Sequence, residues 1–215
     1  MGVITIAREF GAGGEQVGRL VADRLGWKFL DRHLVSEVAR QLALSEDFVD
    51  RHDERRASFL DRLLQQLAGA DFSSPQEPSI WTPPFQDPAF DPARAVLQLT
   101  QEAVRSAAAA GNCVIVGRGS TYILRGHEGV LSVFLRAKAE ARLRLVKELF
   151  NLDDEAARKR IRETDANRAA YIREVYGHDW LNPHHYDMVL DSGVIGFAGA
   201  AAAIVAVASA NLLAP

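Results

Sequence analysis

The sequence predicts an α/β fold, a parallel sheet with crossover helices, and three observations carry that prediction. Strand-like and helix-like segments alternate along the chain. The first apolar run opens through a glycine cluster into a helix. The composition, 48% apolar and 25% charged, is that of an ordinary globular domain. At 215 residues the chain has room for one sizeable domain with a small inserted subdomain.

Residues 3–7 (VITIA) are rich in β-branched side chains and predict the first strand. Val17, Leu20, Val21 and Leu25 then recur at helical spacing. "WKFLD" predicts a short second strand ending at Asp31. Leu34, Val35, Val38 and Leu42 mark another helix, and a charged helical region runs on to about Leu67. Residues 72–92, "FSSPQEPSIWTPPFQDPAFDP", are proline-rich and aperiodic, a loop or lid inside the domain because the alternation resumes after them. A helix from about Pro92 to Ala110 precedes "NCVIVGRGS", a buried strand running into a turn. "VLSVFLRA" predicts the fourth strand, residues 138–150 and 153–175 two charged helices, and "YDMVLDSG" the fifth strand. An Ala-rich helix follows, and no internal repeat is present.

The net charge of −3 argues against nonspecific nucleic-acid binding. Cys113 is the single cysteine, which excludes an intramolecular disulfide and suits a reducing, cytoplasmic setting; within "CVIVG" it reads as a small core residue. Arg8 and Glu9 interrupt the first apolar run, so it does not read as a signal peptide. After Asp191 there is no charge, and "GVIGFAGAAAAIVAVASANLLAP" is nearly long enough to span a bilayer. Its Ala and Gly content and its place after a strand favour a buried or half-exposed terminal helix, with membrane or partner contact as the lesser alternative.

Backbone amides at a glycine-rich turn leading into a helix form an anion site. In a dinucleotide fold the pattern is G-x-G-x-x-G, with an acid about 20 residues on. Gly11, Gly13 and Gln16 match it in part, and Asp31 falls at the right distance. The P-loop pattern G-x-x-x-x-G-K-[ST] matches the length of "REFGAGGE". Laid on it, Arg8 stands at the first glycine, Gly13 at the second, Gly14 at the lysine and Glu15 at the hydroxyl residue. A plain tight turn needs fewer glycines than this loop holds.

Arginine suits phosphate chemistry because its planar fork holds two oxygens and stays charged. Arg136, Arg142, Arg144, Arg158, Arg160, Arg162, Arg168 and Arg173 crowd one segment. Arg158, Arg162 and Asp165 share a helix face with Arg168 a turn away, so Asp165 can orient Arg162 or Arg168; the bland alternative is a solvated charged helix. Arg118 follows a strand at its C-terminal end, the edge where open α/β sheets bind ligands. Arg8 is the nearest substitute for the lysine, with ion pairing to Glu9 or Glu15 as its rival role. Glu15 is a candidate Mg²⁺ ligand, although its charge equally repels phosphate. Asp31 is better suited to an acceptor or a water. His178, His184 and His185 form no convincing metal site, since two are adjacent in a proline-containing return.

"ITIAREFGAGG" with "LGWKFLDRHL", then "VIVGRGS", "ETDANRAAYI" and "YDMVLDSG", in this order and spacing, resemble the cytidylate kinase-like family of P-loop nucleoside monophosphate kinases. The resemblance covers nearly the whole chain, and the glycine-for-lysine loop is common in that branch. It implies a three-layer P-loop kinase fold with five parallel strands. It also implies an acceptor-binding helical insertion over residues 32–95 and an arginine-rich lid over residues 150–178. Gly11, Ala12, Gly13 and Gly14 would cradle the donor phosphates, Arg118 would hold the acceptor phosphate, and Asp165 with Arg168 would bind the acceptor and clamp the transferring group. The implied reaction moves the γ-phosphoryl of ATP, with Mg²⁺, to a nucleoside monophosphate such as CMP. Three positions depart from the cytidylate kinase pattern: Gly119 stands at an Asp, and Arg32 and His33 at Ser-Gly. Two other functions stay open: a nucleotide-binding regulator without turnover, and an NAD(P)-dependent oxidoreductase.

Overall fold

The computed structural model describes residues 2–31 and 92–212. The helices expected up to Leu67, the proline-rich loop and nearly all of the insertion expected over residues 32–95 lie outside the described residues.

Strand β1 (Val3–Arg8) leads through the glycine loop into α1 (Gly14–Leu25), and β2 (Lys28–Leu30) follows. After α2 (Pro92–Ala110) come β3 (Cys113–Val116), the single-turn α3 (Ser120–Ile123) and β4 (Val130–Arg136). Helices α4 (Ala139–Phe150) and α5 (Asp154–Tyr176) precede a 3₁₀ turn (Pro183–His185), β5 (Met188–Asp191) and α6 (Ser192–Asn211). The five strands form one sheet in the order β2-β3-β1-β4-β5, with every pairing parallel. This order puts β3 between β1 and β2, whereas a dinucleotide fold pairs its first two strands directly. The partial G-x-G-x-x-G match at Gly11 and Gly13 is therefore a coincidence of glycine content, and the dinucleotide reading falls with it.

The strands alternate between two cores, as a pleat with both faces covered requires. Ile4, Ile6, Val114, Val133 and Leu135 face Val17 and Val21 of α1 and Ala200, Ala201 and Ile204 of α6. Val3, Cys113 and Ile115 face Leu99 and Val104 of α2 and Leu124. Helix, sheet and helix thus make three layers. Cys113 is a core residue as expected: it is fully buried, and burial pushes its thiol up to about 11. Helix α6 is long and apolar enough to cross a membrane by length and composition. One side of it lies against α1, with Ala200, Ala201, Ile204 and Ala208 fully buried, and its other side is exposed. Non-helical torsions at Gly196 kink it one turn from its start.

Near the end of α5, Tyr122 stacks between Tyr176 and His178, each with ring centroids 5.5 Å away. His185 lies 4.7 Å from the His178 ring, whose Nε2 accepts from Arg125 at 3.0 Å. Burial, then the Arg125 and His178 charges, lower the pKa of His185 below its ordinary value of 6.5. The groups that act on it are Arg125, His178, His184 and the opposing Asp179. A lowered pKa keeps His185 neutral in the fold while the unfolded chain takes the proton near pH 6.5. Stability is therefore lost as pH falls below about 6.5, and His185→Gln flattens that slope in denaturant titrations across pH 5–7.

Candidate active site

The C-terminal edge of β1 carries the loop, and its backbone shows an anion cradle. Helix α1 begins at an N-cap, Gly13, that offers no side-chain cap. Helices α5 and α6 are capped by Asp153 and Asp191, which accept amide hydrogens of their first turns. In the loop, the Ala12 amide turns back to the Glu9 carbonyl at 3.2 Å. The amides of Gly11, Gly13 and Gly14 make no hydrogen bond among the described residues, so an uncapped helix start and the amides before it remain for an anion.

Three elements hold the loop in this shape. Asp165 of α5 accepts the Phe10 amide at 2.8 Å through one oxygen and pairs with Arg142 of α4 through the other. Arg142 is 9% exposed; it donates Nε to the Phe10 carbonyl at 2.7 Å and stands 3.6 Å from Glu9. The second Glu9 oxygen accepts the Ala137 amide at 2.9 Å. From α5, Arg168 donates to the Arg8 carbonyl at 2.9 Å and lies 4.0 Å from Asp165. From α6, the Ser192 hydroxyl donates to the Ala12 carbonyl at 2.7 Å, and the Phe197 ring covers Gly13 so closely that a Cβ there would sit 2.2 Å away. The Gly196 kink delivers Phe197 to that place. Phe10 itself stacks on Phe150 at 5.8 Å, with the Arg160 guanidinium 3.9 Å from the Phe150 ring centre.

Asp165, Arg168, Arg8 and the residues Gly11 to Gly14 are thus brought together. Arg162 is exposed, and the arginine closest to the Asp165 carboxylate is Arg142, from another helix, with Arg168 at 4.0 Å. Neither acid offered as the rival partner of Arg8 faces it: Glu9 turns to Arg142 and Ala137, and Glu15 pairs with Arg19 at 3.0 Å. Arg19 continues to Asp31 at 3.3 Å, so Glu15 and Asp31 flank one cation on the outer side of α1.

Arg118 stands at the end of β3 with φ 57°, a left-handed backbone that costs a side-chain-bearing residue on the order of 1–3 kcal/mol. Gly117 and Gly119 on either side are left-handed too, at φ 81° and 68°. Gly119 has no room for a side chain: its Cβ would lie 2.8 Å from the Tyr176 ring. The Ser120 hydroxyl that follows is buried without a partner among the described residues. Arg8 reaches this turn from the loop, its Nη1 abutting Gly117.

Glu9, Phe10, Ser192 and Phe197 have no part in the sequence motifs as site residues, and Arg142 is one arginine among many there. The one signal for Arg142 is its place on α4, four residues before the buried Val146 and so on the helix's apolar side.

Comparison with known proteins follows this geometry. The family model for the cytidylate kinase-like family matches residues 3–194. A cytidylate kinase of Methanopyrus kandleri is 30% identical over 96 residues, which span 41% of this chain and 50% of that kinase. An uncharacterized protein from Eubacterium ventriosum ATCC 27560 has the same fold, with a TM-score of 0.68 and 19% identity over 97% of this chain and 99% of that one. The shikimate kinase of Acinetobacter baumannii, solved with shikimate, follows at a TM-score of 0.51 and 14% identity, covering 100% of this chain and 96% of its own. The fold is therefore that of the P-loop kinases, and the chain belongs to the cytidylate kinase-like family.

Proposed function

We propose that this protein transfers the γ-phosphoryl group of ATP to a nucleoside monophosphate. The observation that carries the reading is the amides of Gly11, Gly13 and Gly14, without a hydrogen bond among the described residues, at the uncapped start of α1, with Arg8 running from Gly14 to the β3 turn and Arg168 bound to the Arg8 carbonyl. Phosphoryl transfer needs alignment and positive charge more than covalent help from the protein, and this arrangement supplies both. The loop amides and Arg8 take the donor phosphates. Arg118, held in a strained turn beside the buried Ser120 hydroxyl, which has no partner among the described residues, takes the acceptor phosphate. Asp165 orients Arg168 and keeps the loop in register. An open apolar depression bounded by Gly11, Ala141, Leu145 and Phe197 lies beside the loop and suits the donor's base.

Glu15, the candidate Mg²⁺ ligand, is engaged by Arg19 at 3.0 Å, and Asp31 meets the same guanidinium nitrogen at 3.3 Å, so these carboxylates do not fit a metal ion as they stand. No cluster of metal-ligating side chains gathers among the described residues, and Mg²⁺ that arrives with ATP would be held by its phosphates and water. In the transfer, an acceptor phosphate oxygen forms a bond to the γ-phosphorus as the bond from that phosphorus to the β–γ bridging oxygen breaks. ADP leaves with the electron pair.

The family name points to CMP, but Gly119, Arg32 and His33 depart from the cytidylate kinase pattern at positions that the resemblance assigns to the acceptor. The test is therefore a panel: thermal shift with ATP, ADP and the common monophosphates, then ADP release with each monophosphate that binds. ADP formed with at least one monophosphate is expected, and Arg118→Ala raises the KM of that acceptor by about 10–100-fold while leaving the KM of ATP in place. A nucleotide-binding regulator is the competing reading, favoured by the engagement of Asp165 with Phe10 and Arg142 rather than an open site. ATP binding without ADP formation across the panel would establish it.

A further inference from the structure

Gly14 stands where a P-loop carries its lysine, and its backbone gives no reason for glycine: it is the first residue of α1 and is not among the left-handed glycines. The reason is steric. A Cβ on Gly14 would lie 2.6 Å from Arg8 Cγ and 3.0 Å from Cδ, so the Arg8 stem lies across the bare Cα. At the other end of the same side chain, a Cβ on Gly117 would lie 2.2 Å from Arg8 Nη1 and 3.1 Å from Cζ. Arg8 therefore runs from the loop to the turn that carries Arg118, with a glycine under each end.

Its root is fixed as firmly. Arg8 closes the β1–β4 ladder opposite Leu135, and its carbonyl accepts from Arg168 at 2.9 Å. A lysine at position 14 would collide with this side chain at its Cβ. The two cations compete for one space, and the arginine holds it.

We propose that Arg8 replaces the P-loop lysine as a bridging cation. Its guanidinium meets the donor's terminal phosphate and the acceptor phosphate together, and glycine at position 14 admits it. The assignment rests on the phosphotransfer reading. Charge builds on oxygens at both sides of the migrating phosphoryl, and a planar fork spanning both sides meets two of them without rearrangement. A lysine rising from position 14 is a point charge over the loop. The missing lysine is then a relocation of the charge, and it moves that charge toward the acceptor.

The test uses Arg8→Ala, Gly14→Ala, Gly14→Lys and the doubles Arg8→Ala/Gly14→Ala and Arg8→Ala/Gly14→Lys. Melting without ligand reads the steric half: Gly14→Ala lowers Tm when Arg8 is present and not when residue 8 is alanine. Calorimetry with ATP and with adenosine reads the electrostatic half. Arg8→Ala weakens ATP about 10–100-fold, the span of a charged hydrogen bond, with adenosine nearly unchanged. Gly14→Lys alone weakens ATP too, and Arg8→Ala/Gly14→Lys restores ATP binding while the acceptor KM stays raised.

ATP binding by Arg8→Ala equal to wild type overturns the proposal, as does a Gly14→Ala cost that is the same in both backgrounds. If the binding and melting results hold but no variant, wild type included, releases ADP with any monophosphate, the turnover reading fails and Arg8 stands as the triphosphate's cation. If turnover is found and Arg8→Ala shares it undiminished, Arg8 fails alone. A wild type that binds no triphosphate overturns both.

Discussion

Arg142→Met lowers the stability of the fold by about 3–5 kcal/mol, the cost of taking one member from a buried charge network. Arg142 is 9% exposed, and its removal leaves the Glu9 and Asp165 carboxylates facing each other's charge and the Phe10 carbonyl without its donor. In a domain of this size that loss lowers Tm by roughly 6–20 °C, which scanning calorimetry measures directly. Asp165→Ala is milder, because Arg142 keeps Glu9 at 3.6 Å. The double variant Arg142→Met/Asp165→Leu regains part of the loss, since the Asp165 carboxylate is no longer stranded and only Glu9 lacks its arginine. An unchanged Tm in Arg142→Met would mean that water screens this network as it screens a surface pair. The consequence for function lies in the same bonds: Arg142 and Asp165 hold both polar groups of Phe10, so their loss frees the entry to the phosphate cradle.

Gly13→Ala costs about 2–5 kcal/mol, and two causes contribute that a double-mutant cycle separates. The φ of 72° puts a side-chain-bearing residue in the left-handed region, at about 1–2 kcal/mol. The new Cβ would also stand 2.2 Å from Phe197 Cε1, and forcing the ring aside adds about 1–3 kcal/mol. In the Phe197→Ala background only the first cost remains, so the cycle yields a coupling of about 1–3 kcal/mol by denaturant unfolding. Strict additivity would mean that the ring does not rest on the loop. Because Gly13 caps α1 with its backbone, ATP affinity falls along with stability in the single variant.

The elements of this fold were legible because each depends on short-range pattern. The strands are apolar β-branched runs of period 2 or continuous burial, and α2 spans Pro92–Ala110 as its periodicity predicts. The glycine loop was legible for a similar reason: left-handed torsions such as those at Gly11 and Gly13 favour glycine. The choice among eight arginines was not legible. Arg158, Arg162 and Arg168 all sit at plausible helical spacings from Asp165, and Arg168 reaches it at 4.0 Å, yet the closer pair is with Arg142, because α4 and α5 pack side by side and bring its guanidinium under the loop.

Other partners in the site come from still farther along the chain. Phe197 reaches Gly13 because β4 and β5 extend the sheet beside β1, so the helix after β5 returns across the loop's outer side. Tyr176 explains Gly119 only once the end of α5 is seen to cross the β3 turn. The vacated lysine position has an occupant only when the Arg8 stem is seen lying over Gly14.

By itself the sequence determined the layered α/β class, the phosphate loop and the arginine-rich segment, since local torsion and side-chain periodicity are written residue by residue. Tertiary structure alone decided which charges meet: Arg142 with Glu9 and Asp165, Arg168 with the Arg8 carbonyl, and Arg8 with two glycines. The physical reason is that an ion pair or a steric clash depends on a few ångströms between chain-distant atoms. Those distances exist only after the sheet has set its strand order and the helices have packed on it.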